Sequence, residues 1–101
     1  MQRLNFSASN YNKLSLGKRT TIRLGSTSLM LGDVALNCDE LMTATMADIT
    51  EVRTLRFSDL GLTDAVNDGF NSVEELRAEL EHCYQKCVSV SEVVTQIRFK
   101  V

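Results

Sequence analysis

The chain has 101 residues, enough for one hydrophobic core and one shallow cleft but not for a second domain, and residues 1–101 are read as a single unit. Apolar residues make up 44% and charged residues 24%, no apolar run approaches the roughly 20 residues that cross a bilayer, and no leader-like segment opens the chain, so a cytoplasmic protein without membrane contact is expected. The net charge of −2 hides an asymmetry: residues 1–32 carry Arg3, Lys13, Lys18, Arg19 and Arg23 and no acid, whereas residues 33–101 carry a net −7. Three of those five bases fall within six residues, which points to a local anion-binding spot rather than a broad nucleic-acid surface; five solvated bases are the plainer alternative.

Alternation of Leu4 and Phe6 with Arg3 and Asn5 predicts a strand over 2–7. Ser7 to Asn10 supplies helix-capping residues, and a short helix carrying Tyr11, Leu14 and Leu16 is expected to stop at Gly17. Residues 19–24 alternate again, with Thr20, Ile22 and Leu24 on a core face and Arg19, Thr21 and Arg23 on the other. A turn at 25–28, a short extended piece at 29–31, a turn at Gly32-Asp33 and a strand over 34–37 follow. Residues 41–57 read as one long strand or two, because the alternation changes phase between Ala47 and Val52 as an inserted residue would cause.

Thr63 is the expected cap of a single helical turn that ends at Gly69. Ser72 and Glu75 form an S-x-x-E capping box for the clearest helix, over 72–86, with Val73, Leu76, Leu80, Cys83 or Tyr84, and Cys87 on one face. Val93, Thr95, Ile97, Phe99 and Val101 alternate with polar residues and Val94 in a half-buried closing strand. Short strands with helices outside the β-run imply α+β, the sheet curled into a small closed or nearly closed barrel of five or six strands. Thr20, Ile22, Leu24, Ile97 and Phe99 are its expected core.

Few residue types here carry chemistry. His82 is the single histidine, and His82-Cys83-x-x-x-Cys87 lacks a fourth metal ligand. Cys83 and Cys87, one turn apart on a helix, read as sheltered thiols without a disulfide. No Walker loop, dinucleotide-binding glycine run or nucleophile elbow is present, so no metal and no cofactor is expected. The informative run is Gly17-Lys18-Arg19-Thr20-Thr21-Ile22-Arg23. A lysine at a glycine bend can turn its amine toward the Thr21 hydroxyl and, if lowered toward neutrality by nearby cations, act as its base. Arg23 lies on the same strand face as Thr21 and suits an anion, a carbonyl or a phosphate. The competing reading is a solvated strand.

This run, the preceding Asn10-Tyr11, the stretch Ile49-Thr50-Glu51-Val52-Arg53-Thr54-Leu55, the turn Asp68-Gly69-Phe70, the helix start Glu75-Leu76 and the closing Val94-Thr95-Gln96-Ile97-Arg98-Phe99 together resemble the ASCH (activating signal cointegrator homology) domain family. The resemblance implies a PUA-like β-barrel with flanking helices and a cleft at its mouth. It implies binding of RNA or a modified nucleoside and, as in some small bacterial members, an amidohydrolase acting on N(4)-acetylcytidine through a lysine, a threonine and an acid. Lys18 and Thr21 match by spacing, and Asp68 stands where those members have glutamate. Thr21 is then the nucleophile, Lys18 its base and Asp68 the group on the leaving amine, with Tyr11, Lys13, Arg19 and Arg23 as substrate or RNA contacts. A non-catalytic RNA-binding module is the other reading; the acidic pI near 5.3 weighs against tight general RNA binding.

Overall fold

Leu4 and Phe6 do face inward, and the strand that carries Leu4, β1 (Gln2–Asn5), is the first of five in a computed structural model that describes residues 1–101. Ser7 caps α1 (Ala8–Asn12) by accepting the Asn10 N–H at 3.2 Å. A 3-10 turn over Lys13–Leu16 leads to β2 (Thr20–Leu24). Then come β3 (Gly32–Cys38), β4 (Thr43–Arg56), a 3-10 turn over Phe57–Asp59, α2 (Leu62–Asn67), α3 (Val73–Tyr84) and β5 (Val93–Lys100). No helix is long and apolar enough to cross a membrane.

The sheet order is β1-β3-β4-β5-β2, with β1 parallel to β3 and the other pairs antiparallel. The phase change foreseen in the long strand is a bulge: the pairing of β4 with β5 shifts between Ile49 and Glu51. The α+β expectation holds, but the sheet is a half-barrel rather than a closed one. Its edges are β1, four residues long before the chain turns into α1, and β2, and no strand pairing joins them. Only a side chain spans the seam: Arg23 Nη2 donates to the Asn5 carbonyl at 2.9 Å.

β5 lies inside the sheet and is buried on both faces, which corrects the half-buried reading; Val94, Thr95, Gln96 and Ile97 are all buried. Partners across a ladder share a face. Ile22 opposite Gln96 and Leu24 opposite Val94 belong to the face that α2 and α3 cover with Ala65, Leu76 and Leu80. Thr21 opposite Ile97 belongs to the other face, where Leu4, Phe6, Val34, Leu36, Ile49 and Phe99 pack under Tyr11 and Leu14. The five expected core positions are therefore shared between two cores, and Leu24 is only half-buried.

Several local expectations change. Leu16, Val93 and Val101 are exposed. Residues 29–31 form no strand; instead the Gln2 carboxamide pairs with the Met30 backbone in both directions, at 2.9 and 2.6 Å, as a neighbouring strand would. Thr63 lies inside α2, whose start is held by the Asp64 carboxylate accepting the Gly61 N–H at 2.9 Å. Cys83 and Cys87 are exposed rather than sheltered; Cys87 leaves the apolar stripe because α3 ends at Tyr84 and Gln85 turns the chain at φ 55°. Val88, fully buried, takes the place expected of Cys87. Leu80, 4% exposed, sits under α3 in the first core, so Leu80→Ala should lower unfolding stability by about 2–4 kcal/mol in a urea titration; a loss under about 1 kcal/mol would contradict this packing.

Candidate active site

The open seam between β1 and β2 forms a cleft of about 180 Å³. β2 supplies Thr21 and Arg23, and the bend before it supplies Lys18. The start of the chain supplies Asn5, Phe6, Ser7 and Asn10; Asp68 and Phe70 come from the corner after α2; and α3 supplies Glu79, Cys83 and Tyr84.

Two glycines set this geometry. Gly17 has φ 103°, which a side-chain-bearing residue rarely adopts, and it swings Lys18 off the preceding turn toward α2. Gly69 has φ 92° and a close neighbour: a Cβ there would lie 2.8 Å from Lys13 Cδ. Lys13 crosses this glycine and places its ammonium 3.6 Å from the centre of the Phe70 ring. The start of β2 is docked on the end of α2 by the Arg19 N–H to the Asn67 carbonyl at 2.7 Å.

Lys18 Nζ then donates to the Asp68 carboxylate and, at 2.8 Å, to the Asp68 backbone carbonyl. Lys18 is 4% and Asp68 2% exposed, so this is a buried pair and not a solvated one. Burial pushes the Lys18 amine below its ordinary range; Asp68 opposes that shift, and the positive charges of Arg23 and Lys13 add to it. Burial pushes the Asp68 carboxyl up to about 6 against the opposing pull of Lys18 and Arg23. Burial thus pushes both groups toward their neutral forms, while their mutual attraction holds against it.

Thr21 is 5% exposed, and its Oγ1 accepts Arg23 Nε–H at 3.1 Å. That leaves the hydroxyl hydrogen free to donate. The Arg23 guanidinium lies 5.0 Å from the Phe6 ring centre and stays bonded to Asn5, so it is fixed at the seam. The cleft therefore presents a hydroxyl already held by a cation, an amine of lowered basicity and a carboxyl of raised pKa. No hydrogen bond joins Lys18 to Thr21.

Of the residues singled out from sequence, Lys18, Thr21, Arg23 and Asp68 share the cleft. Tyr11, Lys13 and Arg19 do not line it. The Tyr11 hydroxyl bonds Thr45 Oγ1 at 2.6 Å beside a separate groove, Lys13 buttresses the Gly69 corner, and Arg19 faces solvent. His82 is exposed, and no group of three or more His, Cys, Asp or Glu side chains is placed to hold a metal. Sequence reasoning missed Asn10 and Glu79, which meet at 2.6 Å on the cleft wall. The signal for Glu79 lay in its spacing: it stands three residues after Leu76 and four before Cys83, at the margin of the apolar stripe.

The whole chain superimposes on a solved protein. The crystal structure of an ASCH domain from Lactobacillus crispatus JV V101 matches with a TM-score of 0.73, over 99% of this chain and 78% of that one, at 15% identity. The fold is ASCH-like. No protein-family model matches the chain, and no curated protein matches it. In this ASCH-like half-barrel the Gly17–Arg23 run lies along the open seam, beside the corner that carries Asp68.

Proposed function

We propose that the cleft is the active site of an amidohydrolase acting on N(4)-acetylcytidine or a similar acylated amine. The observation that supports this is the meeting of Lys18, Thr21, Arg23 and Asp68 in one cleft, with Lys18 and Asp68 almost wholly buried. A volume of about 180 Å³ lies below the roughly 300–1,000 Å³ of sites that engulf drug-sized ligands, and suits the acylated edge of a base.

In this reading the Thr21 oxygen attacks the amide carbonyl carbon while its proton passes to the neutral Lys18 amine. The negative charge that develops on the carbonyl oxygen is met by the Arg23 guanidinium. The carbon–nitrogen bond then breaks, and the leaving amine takes the proton held by the Lys18–Asp68 pair. Water hydrolyses the acetyl ester on Thr21 by the same route, giving acetate and the free hydroxyl. Full protonation of the pair blocks the base. With Asp68 near 6, kcat/KM should fall below about pH 6, by close to tenfold per unit.

The test is direct. Incubation with N(4)-acetylcytidine should shift its ultraviolet absorbance to that of cytidine with release of one acetate per base; no change at any pH between 5 and 9 ends the hydrolase reading. The second reading, an RNA-binding module, has the PUA-like fold on its side. Lys18 is too buried to meet a phosphate, which leaves the exposed Arg19 and the half-buried Arg23 as the bases of the motif. In that case an anisotropy titration with RNA would give affinity that falls steeply with salt.

A further inference from the structure

The cleft holds charged side chains on both walls beyond the Lys18–Asp68 pair. Lys18 and Arg23 stand on the β2 side, and Glu79 stands on the α3 side. No ion pair joins Glu79 to either cation, although all three line the same space of about 180 Å³. Glu79 is held by one bond, from Asn10 Nδ2 to its Oε2 at 2.6 Å, across 69 residues of sequence. That bond also fixes the Asn10 amide: the nitrogen faces Glu79, and Oδ1 is left buried with no donor. A buried acceptor without a partner is costly, and it is satisfied when a ligand brings a donor to it. Neither the Lys–Thr–acid chemistry nor the Arg23 contact uses this wall.

We propose that Glu79, positioned by Asn10, is the specificity-determining subsite of the cleft, a pair of acceptors that binds the hydroxyl or N–H groups of a neutral substrate and rejects anionic ones. Asn10 Oδ1 and the second Glu79 oxygen offer two acceptors on this wall, beside the Cys83 thiol. A ligand seated between the walls accepts from Arg23 with its carbonyl and donates to Glu79 with its far edge. The hydroxyls of a sugar meet this demand, and a phosphate in their place meets the carboxylate with like charge. The inference names the substrate end recognised at the proposed hydrolytic site, and so rests on that reading for the identity of the ligand.

The experiment is calorimetric binding of N(4)-acetylcytidine and of its 5′-monophosphate to the full chain carrying Thr21→Val, which leaves the substrate intact. The nucleoside should bind at least tenfold tighter than the monophosphate. Adding Glu79→Gln, which keeps the shape and an acceptor for Asn10, should bring the two within about threefold, and Asn10→Ala, which frees Glu79, should weaken the nucleoside by a comparable factor. A preference that survives Glu79→Gln unchanged overturns the subsite while leaving hydrolysis standing. A preference that collapses in a protein with no deacetylase activity keeps the subsite and removes the hydrolase. Failure of both ligands to bind overturns both. A melting temperature within a few degrees of the parent identifies variants that fold, and Glu79→Asp, which retains the charge, should retain the preference.

Discussion

Thr21→Val should lower kcat for amide hydrolysis by about a thousandfold or more while leaving substrate affinity within a few fold. Valine and threonine have nearly the same shape, both are β-branched, and both suit β2, so the strand and its pairing with Ile97 persist. What disappears is the hydroxyl that accepts Arg23 Nε–H at 3.1 Å. Arg23 keeps its bond to the Asn5 carbonyl at 2.9 Å and its place over Phe6, so the cation stays at the seam. The loss is therefore confined to the group that attacks the carbonyl, which acts in the chemical step and not in binding. Thr21→Ser restores a nucleophile and should recover most of the rate. A Thr21→Val protein within tenfold of the parent kcat would remove Thr21 from the chemistry. A pure binding module would not respond to this change, yet would lose affinity on Arg23→Ala.

The parts of this fold that were legible in the sequence are those set by local periodicity. Alternation over residues 19–24 places Ile22 inward and Thr21 beside Arg23, and both hold. The phase change between Ala47 and Val52 is the bulge at Ile49/Glu51. Ser72 caps α3 by accepting the Glu75 N–H at 3.0 Å, as the S-x-x-E pattern implies. What was not legible depends on distant partners. The Lys18–Asp68 contact spans 50 residues and was anticipated through the ASCH resemblance, not through spacing. Asn10 and Glu79 are further apart still, and nothing local ties a helix-capping segment to the middle of α3. Tyr11 has the position of a stacking aromatic, but its hydroxyl is held by Thr45 beside a separate groove. α3 stops at a left-handed glutamine, a residue that announces no helix end, and so the apolar stripe was extended to Cys87. A count of strands also does not say whether their edges meet. Here they do not, and the gap between β1 and β2 is what makes room for a site.

Removing either half of the buried pair should have the largest effect on stability of any single change in the cleft. Lys18→Met leaves the Asp68 carboxyl, 2% exposed, without its cation, and an uncompensated buried charge costs about 3–5 kcal/mol. The cost should depend on pH in a definite direction. Asp68 already has its folded pKa raised to about 6, above the ordinary 3.8 of the unfolded chain, because burial outweighs the pull of Lys18. A raised acid holds its proton more tightly when folded. Its contribution to stability is then complete below about pH 4 and is lost as pH rises through about 6, an effect on the order of 3 kcal/mol. Lys18, with its folded pKa lowered by burial, works the other way at high pH: stability is regained as pH climbs from the folded value toward 10.5, where the unfolded chain also loses its proton. In Lys18→Met the attraction that restrains Asp68 is gone, so its pKa rises further and the variant should be closest to the parent near pH 5, where the carboxyl is neutral. At pH 8 it should be at its worst. Lys18→Met combined with Asp68→Leu replaces the pair by apolar groups that can pack against Phe6 and Phe70, whose ring centres lie 5.9 Å from Nζ, and should recover most of the loss. Urea titrations at pH 5 and pH 8 measure all of these. A Lys18→Met protein as stable as the parent at pH 8 would mean that Asp68 does not depend on Lys18 as its buried counter-charge, and the coupling of the two groups on which the proposed chemistry rests would go with it.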